Sequence, residues 1–274
     1  MSYKTILVHM QLGQPHAPLL HLAARLGDRF GARLVGVAAC EPLQALIADS
    51  CANGVLIQDE LDELRREMAT AEHDFHAALG GHTAGVAWHG SIGGASIADH
   101  VAHVARGADL ILTDPATGGH SDPRRQLQMS ALLMRAGRPV LIAPAPASPL
   151  LFAHALVAWD DSRECRRAVT DALPLLRDAQ RVSLVQVAPG DGHAALMAQL
   201  QDVAAWLHSH GVGAQPLLLP AAGGSPLLGA IALDHVCDLV VAGAYGHSRL
   251  REWALGGVTR ALAAQQQIAV MLSH

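Results

Sequence analysis

The sequence predicts two tandem doubly wound α/β domains, each a five-stranded parallel sheet with helices on both faces. Three observations carry that prediction. Apolar runs of strand length alternate with segments of helical periodicity, and the alternation calls for parallel strands joined by helical crossovers. The same order starts again near the middle of the chain, so the fold is duplicated. The 274 residues are 51% hydrophobic but only 3% aromatic, which suits a large core of thin aliphatic layers.

The first half opens on the apolar run Lys4–Met10. A helix follows over about 15–30, where Leu19, Leu22, Ala23, Leu26 and Phe30 recur at helical spacing. A second strand is predicted at Arg33–Ala38, a long helix at Ile57–Leu79 through Leu61, Leu64, Met68, Ala71 and Phe75, and a third strand at Gly85–Trp88. Gly94–Val101 leads into a fourth strand ending at Thr113, and Pro139–Ile142 closes the half. The second half repeats this order. Its strands are expected at His154–Trp159, Val182–Val187, Pro216–Leu219, 238–242 and Ile268–Leu272. Its first helix runs over about Arg163–Arg177, capped by Ser162 or Asp161, with Glu164 as the capping-box acid if Asp161 is the cap. The next runs over about Ala194–His210, with Leu196, Leu200, Val203 and Leu207 on one face and Gly211 as its C-cap. The Pro-rich stretch Ala143–Pro149 reads as a linker, which divides the chain into domains 1–147 and 148–274.

Composition excludes several functions. The formal net charge is −5 with no basic stripe, which argues against a nucleic-acid-binding surface. Lys4 is the only lysine, so no Walker A loop can be assembled. No apolar run reaches the ~18 residues of a membrane span, and His9 interrupts the first apolar run too early for a signal peptide. Cys40, Cys51, Cys165 and Cys237 are far apart and read as buried thiols in a reducing cytoplasm. Seventeen histidines include the close pairs His73/His76, His100/His103 and His208/His210. None has the companions of a zinc motif, so they read as helix-surface residues.

In open parallel sheets, ligands bind outside the carboxyl ends of the strands, at the topological switch point. In the second half, Gly243 and Gly246 follow the fourth strand, and Gly256 and Gly257 stand where the next helix begins. Bare glycine backbone with free N–H groups at a helix start suits a phosphate. Asp160 follows the first strand and is placed to accept a hydrogen bond from a base or ribose. A rival glycine motif, Gly190-Asp-Gly192-His-Ala-Ala195, follows the second strand and lacks the acid that a dinucleotide fingerprint needs about 20 residues on. No nucleophile–base pair or acid–base dyad emerges, because Asp160 and Asp161 are adjacent and should point apart.

Gly243, Gly246 and Gly256 have the spacing of Gly, two residues, Gly, nine residues, Gly. With Asp160 and the duplication, the chain resembles the universal stress protein family in its nucleotide-binding branch. That resemblance implies an adenine nucleotide alpha hydrolase-like fold and an adenine nucleotide (ATP, ADP or AMP, with or without Mg) held as a regulatory ligand. It places Asp160, Ala158 and Val187 at the base and ribose, and Ala242, Gly243, Gly246, Gly256, Gly257, Val258 and Thr259 at the phosphates. It also implies association through the last strand, which could pair the two domains, form a homodimer, or both. The family pattern has Ser or Thr after the third motif glycine, where this chain has Gly257. The first half departs further, with Gln11 at the Asp160 position and Asp114-Pro-Ala-Thr117 in place of the glycines, and is expected not to bind nucleotide. The alternative is a ligand-free interaction scaffold whose glycines only shape loops.

Overall fold

Two runs of strand-forming sequence, each starting from one aspartate-anchored strand, organise the computed structural model. It describes residues 2–41, 54–93, 95–115, 122–144, 152–188, 193–220, 237–245, 262 and 267–274. The chain divides into the units Tyr3–Arg138 and Pro139–His274. The expected boundary at 147/148 lies outside the described residues.

In the first unit, β1 (Thr5–His9), β2 (Arg33–Cys40), β3 (Val86–Ile92) and β4 (Leu110–Thr113) lie in the order β3-β2-β1-β4. All are parallel, with Thr5 opposite Arg33 and His9 opposite Thr113. The apolar runs of β1, β2 and β4 are buried on both faces, as inner parallel strands require, while β3 at the end of the order is only partly covered. The helices are α1 (Ala17–Phe30), α2 (Gly54–Leu79), α3 (Ile97–Val104) and α4 (Met129–Ala136). Leu64, Met68, Ala71, Phe75 and Leu79 form the buried stripe of α2 that the sequence spacing predicts. Ser96 caps α3 by accepting the Asp99 N–H at 3.1 Å. The third strand extends past its expected end at Trp88 to Ile92.

The second unit contains β5 (Val140–Ile142), β6 (His154–Ala158), β7 (Arg181–Ala188), β8 (Ala214–Pro220), β9 (Leu239–Gly243) and β10 (Ala269–Ser273). Their order is β5-β10-β9-β6-β7-β8. Helices α5 (Arg163–Leu176) and α6 (His193–Ser209) connect the strands, and Gly211 follows α6 in the left-handed region at φ 82°. That conformation suits a residue without Cβ, as the sequence predicts. Five of the strands are parallel and β5 is the exception, pairing antiparallel with β10 (Val140 opposite Leu272, Ile142 opposite Val270). The last strand, the expected route of association, is thus flanked on both sides. β10 has β9 on one side and β5 on the other, so its backbone groups are satisfied in both directions.

The duplication extends to individual hydrogen bonds. Asp109, just before β4, accepts the N–H groups of Lys4 (2.7 Å) and Thr5 (3.0 Å) through Oδ2. Asp238, just before β9, accepts those of Ala153 (2.6 Å) and His154 (3.0 Å). Past the other strand ends, Met10 N–H donates to Val37 O and Trp159 N–H to Val185 O. Each carboxylate thus clasps the start of the first strand of its repeat and brings the far ends of that strand and the fourth strand level. Asp109→Ala and Asp238→Ala should each destabilise the fold by roughly 1–3 kcal/mol, because two backbone donors lose an ionised acceptor. A lowered urea midpoint checks this, and an unchanged midpoint in either variant would contradict the clasp.

Candidate functional site

The level ends of β6 and β9 set the geometry of the candidate site. Ala158 on β6 is opposite Ala242 on β9, and Gly243 ends β9. Asp160 is exposed two residues past β6, and its Oδ1 accepts the N–H (3.0 Å) and the hydroxyl (2.6 Å) of Ser162. The Ser162 hydroxyl in turn accepts the Cys165 N–H at 3.1 Å and caps α5. Ser162 is therefore the cap, and Glu164 falls out of the expected capping box. It is buried beside Arg163, whose guanidinium donates to Oε1 at 2.9 Å. Asp161 turns the other way and binds Arg166 at 2.8 Å, so the two adjacent acids do point apart.

Gly243 has a structural reason of its own. A Cβ there would lie 2.5 Å from the Cys165 backbone nitrogen and 2.8 Å from the Glu164 carbonyl carbon. The bare Cα of the first motif glycine faces the first turn of α5, which packs closely on β9. Cys165 donates its thiol to Ala158 O at 3.1 Å, and burial pushes it up to about 12. A thiol so placed is a packing group rather than a nucleophile.

The described residues bring Ala158, Asp160, Ala242 and Gly243 to one end of the sheet. Val187 is half-buried on β7 opposite Leu219 of β8. Gly246, Gly256, Gly257, Val258 and Thr259 lie outside the described residues, as do Gly190 and Gly192 of the rival motif and Cys51. Sequence reasoning missed three contributors. Tyr245 adopts φ 59° in the loop after β9, and Asp161 adopts φ 57° in the loop after β6. Backbone strain at a bulky residue such as Tyr245 is uncommon, and it concentrates at functional loops. His274 Nδ1–H donates to Ala244 O (2.9 Å), and its ring is set against Tyr245. Cys165 was read as buried but not as the neighbour of Gly243; its place in the first turn after a Ser cap was the available signal.

The first repeat fills the corresponding place with polar side chains. Thr113 and Asp114 replace Ala242 and Gly243, and His9 replaces Ala158. The buried His9 ring bonds the Thr113 hydroxyl at 2.9 Å. Past β2, the Glu41 N–H donates to Arg124 O at 3.1 Å. Arg124 pairs with Glu60 and Asp122, and Arg125 with Glu67 and Asp122, around buried Cys40. The first repeat also starts α1 later, after residues 10–16, where the second starts α5 after only 159–162. The longer loop accommodates the Asp114 side chain that Gly243 cannot carry. Of the histidines, His73, His76, His103 and His208 are exposed, while His9 and His16 are buried. Among the described residues, no cluster of three or more His, Cys, Asp or Glu is arranged to hold a metal ion.

No protein-family model and no curated protein matches the chain. Solved structures do match over nearly its full length. A universal stress protein from Archaeoglobus fulgidus DSM 4304 superposes with a TM-score of 0.69 at 14% identity, covering 98% of this chain and 95% of that one. A candidate universal stress protein from Pseudomonas aeruginosa UCBPP-PA14 gives 0.65 at 16% identity, covering 99% and 93%. The chain has the universal stress protein fold. A functionally unknown protein from Pseudomonas aeruginosa PAO1 shares it, with a TM-score of 0.60 at 16% identity over 99% and 92%. The universal stress protein fold places Asp160 and Gly243 at the strand ends where such open sheets hold ligands.

Two outcomes follow from this geometry. Gly243→Ala should destabilise the chain by about 1–3 kcal/mol, the usual cost of overpacking against backbone, read as a lower melting temperature. The second concerns pH. Burial pushes the Asp114 carboxyl up to about 7 from 3.8, so the folded chain keeps a proton that the unfolded chain releases. This term therefore lowers stability as pH rises from about 4 to about 7. His9 acts oppositely, because burial lowers it to about 4 from 6.5, and its term lowers stability as pH falls through that window. Asp114→Asn removes only the first effect. Its urea midpoint relative to the parent chain should rise between pH 4 and 7, and a pH-independent difference would contradict the assignment.

Proposed function

We propose that the C-terminal repeat binds an adenine nucleotide as a regulatory ligand rather than a substrate, and that the N-terminal repeat does not bind one. The observation that carries this reading is the convergence of Asp160 with Gly243, the first glycine of the motif, at the level ends of β6 and β9. The described residues fit the base and ribose end of such a ligand. Asp160 is exposed and its Oδ1 accepts from Ser162, and Ala158 and Ala242 put only methyl side chains at the strand ends. Gly246, Gly256, Gly257, Val258 and Thr259 would hold the phosphates through backbone N–H groups and the Thr259 hydroxyl. In the N-terminal repeat, Asp114 would repel a phosphate, and the Arg124–Arg125 ion pairs cover the end of β2. Cys40, Cys165 and Cys237 are buried as thiols outside any disulfide, which suits a reducing cytoplasm, and no described helix is long and apolar enough to cross a membrane.

The ligand-free scaffold draws on one observation: Gly243 is already required by α5, so that glycine needs no nucleotide to explain it. Calorimetric titration with AMP, ADP and ATP, with and without Mg, separates the two readings. Binding should appear, and Gly246→Val should remove it. Gly257→Ser, which supplies one more hydroxyl to the phosphates, should tighten it about three- to tenfold, the worth of one hydrogen bond. Absence of heat with all three nucleotides favours the scaffold.

A further inference from the structure

On one face of its sheet, from the starts of β1 and β2 across to His89 on β3, the N-terminal unit has a cavity of about 470 Å³. That volume lies within the range of small-molecule sites. Its floor is the apolar face of the sheet and the helix end above it: Leu7, Val35, Val104 and Ala108. Apart from Thr5, its polar side chains are cationic or basic. Arg33 comes from β2, His89 from β3, His100 and His103 from α3, and Arg106 from the turn after α3. No carboxylate lines it. The acid next in sequence, Asp109, is engaged by the Lys4 and Thr5 N–H groups.

The basic groups are not consumed by one another. Arg106 donates to His103 Nε2 at 2.8 Å, which leaves the rest of its guanidinium fork unengaged by that contact. His100 Nε2 is buried and has no hydrogen-bond partner among the described residues. Burial and the neighbouring His103 and His89 lower the His100 pKa, so the site disfavours positive charge unless an anion enters. The three imidazoles do not form a metal cluster, and with two arginines beside them a cation is repelled. A cleft of one sign with low-dielectric walls concentrates the opposite charge.

We propose that this cavity is a binding site for a small amphipathic anion, an organic acid whose apolar body lies on Leu7, Val35 and Val104 and whose acidic head sits among Arg33, Arg106 and the three histidines. The site is independent of the nucleotide reading, because it lies in the other repeat. Arg106 and Arg33 supply fixed charge, and His100 gains in the anion the partner it lacks. Because His89, His100 and His103 face the head group together with Arg33 and Arg106, binding should strengthen as the imidazoles protonate.

Octanoate, with octanol as its uncharged counterpart, tests the assignment on the full chain. Calorimetry should show octanoate binding at least tenfold tighter than octanol, and tighter at pH 6 than at pH 8. The double variant Arg33→Met/Arg106→Met should lose at least tenfold of the octanoate affinity. Imidazole resonances of His89, His100 and His103 in the unaltered chain should shift during the titration, a readout that does not depend on any variant folding. Equal affinity for acid and alcohol, no binding of either, or binding that leaves those three imidazoles unmoved would overturn the proposal.

Discussion

Each repeat depends on a carboxylate placed one residue before its fourth strand. Asp109 and Asp238 accept the N–H groups at the start of β1 and β6, where the sheet has no other acceptor for them. An ionised acceptor for two backbone donors is stronger than a neutral one, and it fixes register. Since side chains alternate faces along a strand, a one-residue slip would exchange core and surface. With the starts fixed, the register delivers His9 opposite Thr113 and Ala158 opposite Ala242. The candidate site is the far consequence of a clasp at the other end of the strands.

The same frame holds different contents in the two repeats, and the difference begins in the loop after the first strand. In the second repeat the short loop 159–162 brings α5 down onto β9, so residue 243 must lack a Cβ. In the first the longer loop 10–16 starts α1 later, and a carboxyl and a hydroxyl occupy the strand end. These groups are buried, and burial shifts Asp114 and His9 in opposite directions, toward the neutral form of each. The repeat that gave up its glycines therefore keeps neutral polar side chains where the other keeps open backbone.

Much of the fold was legible because parallel α/β units announce themselves through apolar strand runs and helical periodicity. Leu64, Met68, Ala71 and Phe75 fixed α2, Gly211 ended α6, and Asp160 marked the end of β6. The antiparallel pairing of β5 was not legible, because the run Val140–Ile142 is equally apolar whichever direction its neighbour takes. The choice of Ser162 over Asp161 as cap turned on one residue of phase, which propensity does not resolve when both types cap well. The buried cluster of Arg124, Arg125, Glu60 and Glu67 was missed because charges far apart in sequence carry no periodic signal. The basic cavity was missed for a similar reason: His100 and His103 were visible as a pair, but Arg33 and His89 join them only through sheet pairing.

The packing of α5 also changes what the glycine motif can report. If residue 243 must be glycine to admit the first turn of α5, that position will remain glycine whether or not the chain holds a nucleotide. It records the short loop 159–162, not the ligand. Position 243 therefore cannot by itself distinguish a nucleotide-binding repeat from a ligand-free one. In the first repeat, where α1 begins only after residues 10–16, the position equivalent to Gly243 is Asp114, so the short loop and the bare backbone occur together in one repeat and both are absent from the other.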